Sequence, residues 1–234
     1  MKTLIVIPTL NESKNIKKLV YKILKNSKYK ILVIDDNSND GTINILKKLK
    51  KKFTNFNYKI RKKKKGLGSA HLDGISYGYK KKFNFCITLD ADGTHNPKDI
   101  KKLLLLIKKE NYDVINTSRF LNKNSLADWP YIRRLITIMR YLLVRFFLNT
   151  KFDSSSGFRC YNLNKIELKY FNKVRNKDFF FLIESLYILQ KNKYKIKDIP
   201  ITLKYREAGN SKMKPIHIIQ SLFELLLLSI RKNF

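Results

Sequence analysis

The chain has 234 residues, of which 44% are apolar, enough for one globular domain with a full core and too apolar for a disordered polymer. Fifty Lys plus Arg against eighteen Asp plus Glu leave a net charge of +32, which favours anionic partners: nucleic acid, anionic lipid or a phosphorylated substrate. Two distant cysteines, Cys86 and Cys160, exclude a disulfide framework or metal knuckle and fit a reducing compartment.

The chain opens directly into an extended run, Leu4 to Pro8, without the basic-then-apolar leader of a signal peptide, so cytosolic exposure is expected. Ile16, Leu19, Val20, Ile23 and Leu24 follow at helical spacing, and Ile31 to Asp35 is extended again, which makes a βαβ unit. Asp40-Gly41-Thr42 starts a helix marked by Ile43, Leu46 and Leu49, and Tyr58 to Ile60 is a short strand. A helix from Leu67 to about Tyr79 leads to the strand Phe85 to Leu89; Asn96-Pro97 then caps a helix carrying Ile100, Leu103, Leu104 and Ile107. Tyr112 to Ser118 is extended. The later part predicts a helix over 131–148, an extended Gly157 to Tyr161, a helix around Phe181 to Gln190, a strand at Ile199 to Tyr205, and a terminal helix. No linker or repeat interrupts a single doubly wound α/β domain, whose ligands are expected at the carboxyl ends of a mostly parallel sheet.

Three acidic stretches stand at such ends: Glu12 after the first strand, Asp35-Asp36 after the second, and Asp90-Ala91-Asp92 after the fourth. Two carboxylates one residue apart at a turn can bracket a hard cation such as Mg²⁺ or Mn²⁺, which would clamp a diphosphate and neutralise its charge as it leaves. Asp35 and Asp36 can accept from a ribose or a base, or shape the turn Asp-Asp-Asn-Ser. Gly66-Leu67-Gly68 opens a helix but lacks the third glycine of a dinucleotide fingerprint, since His71 stands there.

The succession Val6 to Glu12, Val33 to Thr42, Lys65 to Ala70 and Leu89 to Pro97 resembles family 2 glycosyltransferases of the GT-A fold, and within them the dolichol-phosphate mannosyltransferase group. The resemblance continues through Thr117-Ser118-Arg119, Asp153, Ser156 to Tyr161, Glu184, Pro200, Arg206, Gly209, Ser211 and Lys212. It implies a Rossmann-like sheet flanked by helices, with Pro8, Glu12 and Asp36 on the nucleoside of a sugar donor, Asp90 and Ala91 along the nucleotide, and Asp92 on the metal. Arg119 would face the reaction centre, Arg133 the acceptor phosphate, and Arg206 with Lys212 the donor diphosphate from a closing loop. Leu10 stands where the family usually has Tyr, at the donor base, and Thr94 where many relatives have Gln, at the metal.

The resemblance implies transfer of a hexose, mannose from GDP-mannose first, to a polyprenyl or dolichyl phosphate, with a UDP-sugar or a saccharide acceptor as the alternative. Residues 1–120 form the donor half, 121–212 the acceptor side and 213–234 a terminal helix that contacts membrane or a partner. Nucleic acid is not expected, because the acids at the strand ends would repel its backbone.

At about 100° per residue, Arg133 and Arg140 fall together on the 131–148 helix, with Leu135, Met139, Leu142, Leu143 and Phe146 on the opposite arc. Such a basic amphipathic helix either packs its apolar arc on the sheet or rests at an anionic membrane surface, where a lipid acceptor resides; peripheral attachment at the cytoplasmic face is expected. Ile216 to Ile230 is apolar over most of its circumference and predicts cover by lipid, a membrane-embedded partner, a second copy or the core of its own domain. His217, Gln220 and Glu224 break it short of the roughly 18 apolar residues of a spanning helix.

Overall fold

Near-continuous apolar strands need cover on both faces, and helices at each crossover supply it. The computed structural model describes residues 1–25, 27–203 and 215–231. It runs β1 (Thr3–Thr9), α1 (Ile16–Leu24), β2 (Lys30–Asp35), α2 (Thr42–Lys52), β3 (Phe56–Ile60), α3 (Leu67–Lys80), β4 (Phe85–Thr88) and α4 (Asp99–Lys109). There follow β5 (Val114–Ser118), α5 (Tyr131–Leu148), β6 (Arg159–Asn162), α6 (Leu168–Asn172), α7 (Phe181–Lys191), β7 (Ile196–Pro200) and α8 (Pro215–Ile230).

The seven strands form one sheet in the order β3-β2-β1-β4-β6-β5-β7. β6 alone runs antiparallel, between β4 and β5, with Thr88 and Asn116 both opposite Arg159. That reversal brings the stretch before β6, Asp153 to Gly157, to the carboxyl ends of β4 and β5. Alternate residues of β1 and β2 enter opposite cores: Ile5, Ile7, Ile31 and Val33 meet α1, α2 and α4, whereas Leu4, Val6, Leu32 and Ile34 meet α3, α6 and α7.

Some boundaries differ from those the sequence predicts. The last strand lies at Ile196–Pro200 rather than 199–205, because its partner β5 ends at Ser118, opposite Pro200, and the last bond between them runs from the Ile201 N–H to the Ser118 carbonyl at 3.1 Å. Ile201 and Leu203 are buried beyond the end of the strand, and Lys204 and Tyr205 lie outside the described residues. The helix after Asn96-Pro97 starts at Asp99, preceded by a turn in which Asn96 and Pro97 carbonyls accept from Asp99 and Ile100.

The largest difference concerns α5. Its buried side carries Thr137, Val144 and Leu148, Arg133 and Arg140 line the cavity, and Leu135, Met139, Leu142 and Phe146 face outward. The edge with Arg133 and half-buried Arg140 therefore borders the cavity, and most of the apolar arc faces outward, with Phe146 81% exposed. α8 packs beside it through Leu225 and Leu228, against Val144 and Leu148 of α5 and Ile183 and Tyr187 of α7. Its other side exposes Leu222, Phe223, Leu226, Leu227 and Ile230, so the two helices present one apolar surface. Among the described residues no helix is long and apolar enough to cross a membrane.

Candidate active site

A cavity of about 630 Å³ opens at the carboxyl ends of β1, β2 and β4, beneath α5. Pro8, Leu10, Glu12, Asp36, Asp90, Ala91, Asp92, Thr94, Arg119 and Arg133 all line it. Residues up to 125 positions apart in sequence thus share one wall system, because each follows a strand or lies on the helix above the strand ends. Arg206 and Lys212 lie outside the described residues.

The acids are held by their own loops. Asp36 accepts from the Lys65 and Gly66 backbone N–H groups at 2.8 and 2.9 Å and pairs with buried Arg61 at 2.9 Å. It anchors the loop before α3, where Gly66 has φ +90° and a Cβ would stand 2.5 Å from the Lys177 carbonyl oxygen. Asp35 accepts from Ser38 N–H and hydroxyl and from the Thr9 hydroxyl, which closes the turn after β2. Glu12 accepts from Asn15 Nδ2 at 2.8 Å and its own N–H donates to Thr42 Oγ1, tying the β1–α1 loop to the start of α2.

Asp92 Oδ1 accepts from both the N–H and the hydroxyl of Thr94, at 3.1 and 2.8 Å, so Thr94 orients the carboxylate. The Asp90 N–H donates to Nδ1 of buried His95, which occupies that nitrogen's lone pair and leaves the proton on Nε2. His95 in turn packs on Phe158. Gly157 leaves the space that Asp90 uses, since a Cβ there would lie 3.0 Å from Asp90 Oδ1.

Oxygen donors of this kind suit a hard divalent ion. Among the described residues no three His, Cys, Asp or Glu gather into a closed cage. Asp92, with Asp90 and Thr94 beside it, offers such oxygens at the cavity wall.

The cations occupy the opposite wall. Arg119 donates from Nε and Nη2 to Asp153 at 2.9 and 2.8 Å, its N–H also donates to Asp153, and Ser155 takes a further bond from Nη2. Burial opposes both charges, but the pair overrides it: Arg119 is raised and Asp153 lowered from their ordinary pKa values. Phe120, next in sequence, stacks on Tyr141 at 3.7 Å and fixes α5 against this strand end. Arg133 lies over the Trp129 ring at 4.3 Å. Of the remaining wall, Arg140, Trp129, Asp178 and Phe179 have no assignment from the sequence; only the spacing of Arg133 and Arg140 signals that both face one way.

The sequence profile described as Glycosyl transferase family 2 matches residues 4–169. The chain belongs to this family. As a family 2 glycosyltransferase it is 29% identical to a polyprenol monophosphomannose synthase of Mycolicibacterium smegmatis over 98% of this chain and 88% of the relative. An uncharacterized protein of Methanocaldococcus jannaschii is also 29% identical, over 97% of this chain and 91% of that one. Among solved structures, glucosyl-3-phosphoglycerate synthase of Mycobacterium tuberculosis, in complex with Mn²⁺, UDP-glucose and glycerol 3-phosphate, superposes with a TM-score of 0.65 at 13% identity. That alignment covers 98% of this chain and 78% of that one; mannosyl-3-phosphoglycerate synthase of Rubrobacter xylanophilus gives 0.65 at 12%, over 97% and 72%. The fold is thus GT-A-like, and the enzyme is a glycosyltransferase with its cavity where such sheets bind ligands.

Proposed function

We propose that this enzyme transfers a hexose, mannose from GDP-mannose first, to a polyprenyl phosphate at the cytoplasmic membrane face, using Mg²⁺ or Mn²⁺. One observation carries the acceptor: the cavity wall that holds Arg119 and Arg133 continues through Ile132 and Ile136 onto the exposed apolar surface of α5 and α8. An anionic head and an isoprenoid tail need that juxtaposition. The relative named polyprenol monophosphomannose synthase supports the same chemistry. Residues 1–120 then serve the donor, 121–212 the acceptor, and 213–234 contact the membrane or a membrane-embedded partner.

In this reading Pro8, Leu10 and Glu12 receive the nucleoside; Asp36 holds the adjoining loop and Ala91 lines the nucleotide. Asp92, with Asp90 and Thr94, holds the metal. A bound divalent ion would neutralise charge on the departing diphosphate. Arg119 faces the reacting centre, Arg133 the acceptor phosphate, and Arg206 with Lys212 the donor diphosphate. An oxygen of the acceptor phosphate attacks the anomeric carbon, its bond to the donor diphosphate breaks, and nucleoside diphosphate leaves with inversion. The nucleophile is already ionised at neutral pH, so no general base is required. The protein contributes alignment and charge neutralisation.

The test is incubation of purified protein with radiolabelled GDP-mannose, UDP-glucose or dTDP-glucose, Mg²⁺ or Mn²⁺, and a short polyprenyl phosphate. The expected product is a labelled lipid from GDP-mannose, lost on chelation and in Asp92→Asn. A lipid product from another nucleotide changes the donor; none from any donor overturns the acceptor.

A further inference from the structure

Forty of the fifty basic residues are Lys, yet α5 holds four of the ten Arg and no Lys. Arg134 and Arg145 point outward, whereas Arg133 and Arg140, seven residues apart, line the cavity one above the other. Thr137 lies between them and donates its hydroxyl back to the Arg133 carbonyl at 2.8 Å, so it presents no charge to that stretch of wall. Arg133 lies over Trp129, whose buried Nε1–H has no acceptor among the described residues. We propose that Arg140 is a second phosphate-binding residue, forming with Arg133 a two-guanidinium clamp for the acceptor's phosphate monoester, and that Trp129 is the positioning residue for Arg133. This rests on the polyprenyl phosphate reading of the site.

Three further observations support the assignment. Arg140 sits beside the Arg119–Asp153 pair, close enough that Asp153 and Arg119 act on it with opposite signs. Burial and the Arg119 charge lower its guanidinium to about 10, so it stays charged at neutral pH while its cationic form is disfavoured. A phosphate monoester carries up to two negative charges, and its entry relieves that disfavour. A planar guanidinium also engages two phosphate oxygens at once, which an ammonium does not. The stack of Phe120 on Tyr141 sets the height of Arg140 relative to Arg119, so both cations meet the same end of the cavity.

Trp129 is the only tryptophan in the chain and reports on the clamp directly. Titration with farnesyl phosphate, using farnesol as the uncharged control, is expected to change its fluorescence in the wild type and not with farnesol. In Arg140→Gln the dissociation constant for farnesyl phosphate is expected to rise about tenfold or more, with KM for the acceptor rising in parallel and KM for GDP-mannose unchanged. Arg140→Lys, which keeps charge and most of the volume, is expected to fall between the two and covers the case in which the Gln variant does not fold. Trp129→Phe keeps a ring under Arg133 and is expected to retain acceptor KM within a few-fold, whereas Trp129→Ala raises it. If farnesyl phosphate does not bind the wild type, the acceptor reading and the clamp both fall. If it binds equally to the wild type and the folded Arg140 variants, the clamp alone is overturned.

Discussion

Arg119 reaches the cavity already committed to Asp153, which is itself fully buried. Two parallel hydrogen bonds from the guanidinium and a third from the Arg119 N–H, all accepted by Asp153, fix the guanidinium plane, so Asp153 sets how Arg119 is presented to the cavity. Removing one partner of such a buried pair strands the other charge, at a cost of about 3 kcal/mol. Asp153→Asn is expected to lower stability by about that much at pH 7 and to reduce turnover at saturating donor. The sign with pH follows from the lowered pKa of Asp153: its contribution is present above the ordinary value near 4 and disappears as pH falls through the native value. Urea denaturation should therefore show the wild-type advantage shrinking below about pH 4; a gap that stays constant with pH would exclude the pair as its source. The strand-end acids were legible in sequence because each follows an apolar run, but their bonds were not. Nothing near Asp36 in sequence indicates that Arg61, Lys65 and Gly66 return to it, since loop closure brings them there.

The loop carrying Leu10 and Glu12 has little structure of its own and borrows rigidity from the start of α2. Asp40 accepts from the Thr42 N–H and from the Ser13 N–H, both at 3.0 Å, while the Thr42 hydroxyl accepts from the Glu12 N–H at 2.9 Å. Burial acts to raise the Asp40 carboxyl, but the Thr42 hydroxyl, donating to it at 2.5 Å, and the Ser13 and Thr42 N–H groups hold it at about 2. Asp40→Ala is expected to cost about 1 kcal/mol, as loss of a helix-start cap does. Because Glu12 loses its seat as well, nucleotide-sugar affinity should weaken several-fold, measurable by calorimetric titration. An unchanged affinity would separate the loop from the donor site. At this scale the sequence predicts βα alternation well, since period and length suffice for buried strands and their covering helices. It fails where a neighbour decides. α5 has two faces in sequence, and only its place beside the cavity shows that Arg133 and Arg140 border the site; β7 stops where β5 stops.

Lysine and exposed apolar side chains are segregated along the chain. No Lys occurs between residues 124 and 150 or from 215 to 231, the segments that form or adjoin the α5–α8 surface, while Lys is spread densely elsewhere. A lysine-free apolar surface suits the boundary between headgroups and acyl chains, and the surrounding cations suit anionic headgroups. Both forces should then show in binding. Affinity for vesicles containing phosphatidylglycerol is expected to fall as salt rises and to level off above zero, because the apolar contribution is not screened. Phe146 and Phe223, 81% and 63% exposed, contribute most to that plateau. Burying a Phe side chain is worth about 2 kcal/mol, so replacing both with Asp should weaken vesicle binding at high salt at least about a hundredfold. The fold should survive, since neither side chain is buried, and transfer to a short water-soluble acceptor should persist while transfer to a long-chain acceptor in vesicles drops. Sedimentation velocity discriminates the other cover: if wild-type protein dimerises, the Asp variants become monomeric and vesicle binding is absent throughout, then the surface belongs to a second copy and the lipid must reach Arg133 by another route.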